Sequence, residues 1–243
     1  MAPPVPRRAA LVTGGSSGIG RAFALALAED GYDLTLVART AEKLAVVARE
    51  VEARGGTANV VVGDVSDEGS VAASVASHVD RFGRLDVLVN SAGLGIGEPV
   101  GAVTTRRLDR QLSVNVRATV LFCREALGLL TAAGAEHGRA LVLNLSSSAG
   151  RRGVGGFSVY SATKFAVVGF TEALDAELAG TGVKATVLCP SLVRTPMSEG
   201  VHAADGVALL ETDDLVKVLR LLLDLSPGCQ VPELRMSPPG GGS

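Results

Sequence analysis

Ala9-Ala-Leu-Val-Thr-Gly-Gly-Ser-Ser-Gly-Ile-Gly20 sets the architecture of this chain. Residues 9–13 have the length and apolar content of a short buried strand, and glycines follow at once. Arg21-Ala-Phe-Ala-Leu-Ala-Leu-Ala-Glu29 then has a strong helical bias. A strand, a tight turn and a helix N-terminus make a phosphate cradle, because unpaired N–H groups and the helix dipole both point at the loop. Gly14, Gly18 and Gly20 permit the turn and a close approach of backbone to a pyrophosphate, and Ser16, Ser17 and Ile19 complete the loop. The spacing is G-x-x-x-G-x-G rather than G-x-G-x-x-G.

Outward from that loop the pattern repeats. Apolar runs at 9–13, 33–38, 58–63, 85–90, 140–146, 184–189 and 230–236 predict strands. Helical stretches fall at 18–29, 41–54, 67–82, 105–133, 158–179 and 212–225. Strand and helix in alternation predict an α/β fold: a Rossmann-like, doubly wound parallel sheet of about seven strands with helices on both faces. Right-handed crossovers bring the carboxyl ends of all strands to one edge. The loop at 14–20, the Asn90 turn, the serines at 146–148 and the Pro190 turn meet there. A single domain over 9–236 is expected, between disordered tails at 1–8 and 237–243, both rich in proline or glycine.

Composition narrows the function. The chain has 243 residues, 47% of them apolar, and a net charge of −2, which argues against a nucleic-acid surface. Cys123, Cys189 and Cys229 are odd in number and widely spaced, which reads as buried thiols in a reducing compartment. No metal-ligand spacing is present, and His78, His137 and His202 read as surface residues in polar surroundings. The apolar run after Arg7-Arg8 is too short for an export signal, and no segment reaches eighteen uninterrupted apolar residues. A cytoplasmic protein with no membrane or nucleic-acid partner is expected.

The strongest chemical signal is Tyr160 and Lys164, in Ser158-Val-Tyr-Ser-Ala-Thr-Lys-Phe165. Four residues apart on a helix, they share a face, roughly 6 Å apart along the axis. A lysine beside a phenol favours the phenolate, so a lowered tyrosine pKa and proton exchange with a carbonyl or alcohol oxygen are expected.

The glycine loop and the tyrosine–lysine pair, about 140 residues apart, together resemble the short-chain dehydrogenase/reductase family over about residues 8–236. Asp64-Val65, Asn90-Ser-Ala-Gly93, Asn115 in Ser-Val-Asn-Val, and Asn144-Leu-Ser-Ser-Ser-Ala-Gly150 match further positions. The resemblance implies hydride transfer between a nicotinamide coenzyme and a carbonyl carbon, with Tyr160 as proton donor. It implies that Lys164 lowers the tyrosine pKa and holds the nicotinamide ribose. The serine thirteen residues before the tyrosine is Ser147, which would polarise the substrate oxygen; Ser146 and Ser148 are its immediate neighbours. Asn115 would hold a water linking Lys164 to solvent. Asp64, Val65, Asn90, Ala92, Gly93, Pro190, Val193 and Thr195 would contact the coenzyme.

Coenzyme choice is read at the end of the second strand. The ribose-binding carboxylate of NAD enzymes has no counterpart at Ala38, while Arg39 offers a cation for a 2′-phosphate, which favours NADP(H) over NAD. Where the family has Pro-Gly this chain has Pro190-Ser191, and the Asn-Asn turn is Asn90-Ser91. The segment from Thr195 to Thr212 is short. Leu94–Gly97, Gly153–Phe157 and Val193–Met197 should line an apolar substrate cleft, and Arg151-Arg152 read as a solvated pair or a lure for an acidic group or a carrier protein. The expected activity is an NADP(H)-dependent reductase or dehydrogenase acting on a ketone, aldehyde, 3-oxoacyl or secondary-alcohol substrate, in a homodimer or homotetramer. A non-catalytic NADP sensor is the alternative; it has no need of Ser147, Asn115, Tyr160 and Lys164 together. Sugar-nucleotide epimerases usually have a larger carboxyl-terminal substrate region, absent here.

Overall fold

The computed structural model describes residues 7–199 and 209–239. His202, most of the segment between Thr195 and Thr212, and the outer parts of both tails lie outside these residues. Seven strands form one sheet in the order β3-β2-β1-β4-β5-β6-β7. They are β1 (Ala9–Thr13), β2 (Asp33–Ala38), β3 (Ala58–Val62), β4 (Val87–Asn90), β5 (Ala140–Leu145), β6 (Val183–Pro190) and β7 (Glu233–Met236). Every neighbouring pair is parallel. The order reverses beside β1, so the crevice at the carboxyl ends of β1 and β4 is the topological switch point where such sheets bind ligands.

The helices are α1 (Gly18–Glu29), α2 (Ala41–Glu52), α3 (Glu68–Phe82), α4 (Thr105–Leu112), α5 (Ala118–His137), α6 (Ser158–Glu177) and α7 (Thr212–Asp224). Strand alternation divides the core in two. Ala10, Val12, Leu141 and Leu143 pack with Phe23 and Leu27 of α1, Leu44 and Val47 of α2, and Leu215 and Leu219 of α7. Leu11, Ala140 and Val142 face the other way, against Val71 of α3, Phe122 and Leu130 of α5, and Leu174 of α6. The two-residue alternation along the strands therefore builds both layers at once.

The predicted helix 105–133 is three pieces. A π-helical turn, Ser113–Arg117, separates α4 from α5, and α5 continues to His137. Thr105–His137 has the length and apolarity of a membrane-crossing helix, but half of its most apolar 18-residue window is buried within this molecule. Arg7 is anchored through its side chain to the carbonyls of Gly31 and Gly55.

Two histidines depart from the expected surface placement. His78 is fully buried, with Nδ1 at 2.7 Å from Thr35 Oγ1 and Nε2 at 2.8 Å from the Arg84 carbonyl. His137 Nε2 lies 2.8 Å from Oδ1 of buried Asp86, which also accepts from Ala9 N–H and Arg84. Thr35 and Asp86 stand 43 and 51 positions away, too far for a local reading to place these rings. All three cysteines are free, and Cys123 and Cys189 are buried.

Candidate active site

The cleft at the switch point begins with the glycine loop. Gly14 has φ 68°, and a Cβ there would lie 3.0 Å from the Ala92 backbone. Gly20 is packed under the loop, where a Cβ would come 2.8 Å from the Gly14 carbonyl carbon. Ser17 caps α1 in an extended conformation with no side-chain cap, and the first turn has no acidic residue. The N-terminal N–H groups and the positive end of the dipole thus face the cleft. Thr13 Oγ1 accepts from the N–H groups of Ser91 and Ala92, both at 3.1 Å, and so ties the turn after β4 to β1.

Gly14, Ser16, Ser17, Gly18, Ile19, Arg39, Asp64, Val65, Ala92, Gly93 and Thr195 all line this cleft, as their sequence positions led us to expect. Lys43 and Arg110 line it too and were missed. Lys43 had a readable signal, since a cation in the first turn of a helix opposes the dipole unless an anion sits there. Arg110 had none: it reaches Asp64 at 3.0 Å from 46 positions away. Burial raises the Asp64 pKa, but Ser66 and Arg110 outweigh it and hold the carboxyl below its usual range.

Other expected coenzyme contacts sit differently. Asn90 turns into the core, donating to Asn144 Oδ1 at 2.9 Å, and Asn144 donates to Thr171. Val193 is buried in the core cluster and pairs with Leu210. Pro190 ends β6 opposite Met236. Ser191 has no positive φ, so serine is accommodated where the family has glycine, and its N–H donates to the Met236 carbonyl at 2.8 Å.

Gly93 joins the cleft to the residues that carry the chemistry. A Cβ at Gly93 would lie 3.5 Å from Asn115 Oδ1 and 3.6 Å from Lys164 Nζ. Asn115, buried in the π turn, accepts from Leu94 N–H at 2.8 Å and donates to the Leu94 carbonyl and Thr163 Oγ1. Its side chain is therefore committed to holding the loop after β4. Lys164 on α6 is buried and donates to the Leu145 carbonyl at 2.8 Å, with Nζ 5.7 Å from the centre of the Tyr160 ring.

The three serines separate cleanly. Ser146 is buried and donates to the Lys164 carbonyl at 2.9 Å, and Ser148 is exposed. Ser147 opens a 3-10 turn, accepts from Ala149 N–H, and faces the Tyr160 phenol closely enough to lower its pKa. The expected net depression of Tyr160 is nevertheless absent. Burial pushes the phenol above its ordinary value and outweighs Ser147, while burial also pulls the Lys164 ammonium down to about 8. The walls beyond are Leu94–Gly97 and Gly153–Phe157, joined by Glu98 N–H donating to the Gly156 carbonyl at 2.6 Å, with Phe157 edge-on to Tyr160 at 6.3 Å.

Two hydroxyls beside a buried cation, at the end of a glycine-lined cleft, suit proton transfer at one oxygen. Residues 8–206 match the family model of the short chain dehydrogenases. A protein named as the ketoacyl reductase of a monensin polyketide synthase in Streptomyces virginiae is 39% identical over 209 residues, covering 86% of this chain and 79% of that relative. A short chain dehydrogenase from Burkholderia cenocepacia, solved with NADP, superposes at a TM-score of 0.87 with 29% identity over 95% of this chain and 96% of that one. A 3-ketoacyl-(acyl-carrier-protein) reductase from Brucella melitensis, solved with NADH, gives 0.84 with 29% identity over 94% and 96%. Fold, cleft and sequence agree: the chain belongs to the short-chain dehydrogenase/reductase family of oxidoreductases.

Proposed function

We propose that this protein is an NADP(H)-dependent oxidoreductase that interconverts a carbonyl and a secondary alcohol, with Tyr160 as the proton donor in reduction. The observation that carries the reading is the pairing of Ser147 and Tyr160 beside Lys164, next to the glycine-lined cleft.

The cleft fits the coenzyme. Its floor has no side chain at Gly14 or Gly18, and the N-terminus of α1 faces it for a pyrophosphate. Ala38 offers no carboxylate to repel a 2′-phosphate, while Arg39 and Lys43 line the same end with no ion-pair partner among the described residues. Those cations support NADP(H) over NAD, since relatives carry either. When bound, the nicotinamide supplies the hydride.

The protein's own residues handle the oxygen. Ser147 donates a hydrogen bond to it and Tyr160 delivers the proton as negative charge develops there. The Lys164 ammonium favours the phenolate left behind, offsetting the burial that keeps the resting phenol protonated. Asn115 fixes the loop at Leu94 and borders Lys164 across Gly93, where a water could refill the proton. In the reverse direction the phenolate takes the proton from the alcohol. A panel of ketones, aldehydes and 3-oxoacyl thioesters, followed by NADPH and NADH oxidation, tests the reading: turnover with NADPH supports it, and coenzyme binding with no turnover on any class contradicts it.

A further inference from the structure

The pair Arg151-Arg152 follows the serine turn, and Arg151 is not the solvated charge its sequence suggests. Its Nε donates to Glu233 Oε1 at 2.8 Å and its Nη2 to Glu233 Oε2 at 2.5 Å, a two-pronged grip on β7, while Nη2 also reaches Glu172 of α6 at 2.6 Å. Glu233 is largely buried and is held below the usual carboxylate range: burial raises it, but Arg151 and Arg235 prevail. We infer that Arg151 is a positioning residue for the reaction: by gripping Glu233 it fixes the turn from which Ser147 faces Tyr160. The inference rests on the roles given above to Ser147 and Tyr160.

Geometry makes the grip consequential. Ser147 stands at the head of the 3-10 turn Ser148–Gly150, whose last N–H donates to the Ser147 carbonyl at 2.8 Å. The inner side of the turn has no slack, since a Cβ at Gly150 would lie 2.8 Å from the Lys164 carbonyl oxygen. Its outer side continues into Gly153, Gly155 and Gly156, all exposed and without side chains to pack. Arg151 stands between the two. Its partner strand β7 is also where Ser191 N–H is bound, so one ion pair ties the serine turn to the strand that holds the loop after β6. A planar guanidinium fork on a carboxylate fixes orientation as well as distance, which a point charge does not.

The chain has two tyrosines, Tyr32 and Tyr160, and no tryptophan. In the full-length Tyr32→Phe protein, phenolate absorbance followed through stopped-flow pH jumps therefore reads Tyr160 alone. Arg151→Leu, Glu233→Gln and the double variant are compared in that background and, for turnover, in the native chain. The expected result is a Tyr160 titration moved to higher pH as Ser147 drifts off, with kcat about tenfold lower and the NADPH KM unchanged. The double variant is no worse than the worse single one, because both remove the same contact. Unmoved titration and kcat, or losses that multiply in the double variant, overturn the inference. If Arg151→Leu does not fold, the isosteric Glu233→Gln carries the same comparison. A native chain inactive on every carbonyl class would sink the functional reading instead, and the titration would still decide the role of Arg151.

Discussion

Lys164 holds a charge in the interior with no carboxylate beside it among the described residues, and burial brings its pKa down from 10.5 to about 8. The unfolded chain therefore binds the extra proton between those values, so this group makes stability rise with pH from about 8 to 10.5 and costs stability at pH 7. Lys164→Met should stabilise the unliganded protein at pH 7 by about 2 kcal/mol, the desolvation relieved less the bond lost to Leu145. It should also abolish turnover. Calorimetry checks the first point, and a lower Tm in the variant would contradict it. At this scale the sequence was legible where spacing is short. Tyr160 and Lys164 lie one helical turn apart, and Ser147 stands a fixed distance before them. It was illegible where a residue's environment comes from afar: the rise in the Tyr160 pKa, the inward turn of Asn90 and the partners of Arg151 all depend on strands and helices distant in the chain.

The segment from β2 into α2 has the most direct bearing on coenzyme choice. Thr40 starts α2 without a side-chain cap, and Arg39 and Lys43 flank that N-terminus in the cleft. Glu42 sits in the same first turn, yet the two cations and the uncapped N–H groups still favour a phosphate there. Replacing both by Arg39→Ala and Lys43→Ala should raise the NADPH KM by about tenfold or more, and leave the NADH KM within about threefold. Equal losses with both coenzymes would remove the 2′-phosphate role. Strand and helix ends were read from the sequence to within a few residues because apolar runs and glycines bound them. The π turn at Ser113–Arg117 was not, since a single widened turn shifts the apolar stripe by only one residue, within the spread of an ordinary helical pattern.

For the molecule as a whole, the order of the sheet follows from alternating segments and right-handed crossovers, and both cores follow from the two faces of each strand. What composition hid is the buried polar interior. The Arg84 carbonyl can only accept, so His78 donates through Nε2 and accepts from Thr35 through Nδ1, as a neutral ring. Burial lowers its pKa below 6.5, an effect that the Arg84 carbonyl and Asp86 oppose. A group depressed in the folded state contributes stability that is present above its unfolded pKa and lost as pH falls through the folded one. Unfolding free energy should therefore fall below pH 6.5, and His78→Gln should start less stable yet lose that slope. Chemical denaturation across this range checks the sign, and an unchanged slope in the variant would assign the acid sensitivity elsewhere.

If Tyr160 moves the proton, Tyr160→Phe exposes it, with NADPH affinity measured beside turnover on the best carbonyl substrate. Coenzyme binding should stay within about twofold while kcat falls by about a hundredfold or more, the scale of a lost general acid. A variant that binds NADPH and still turns over at the native rate would contradict it.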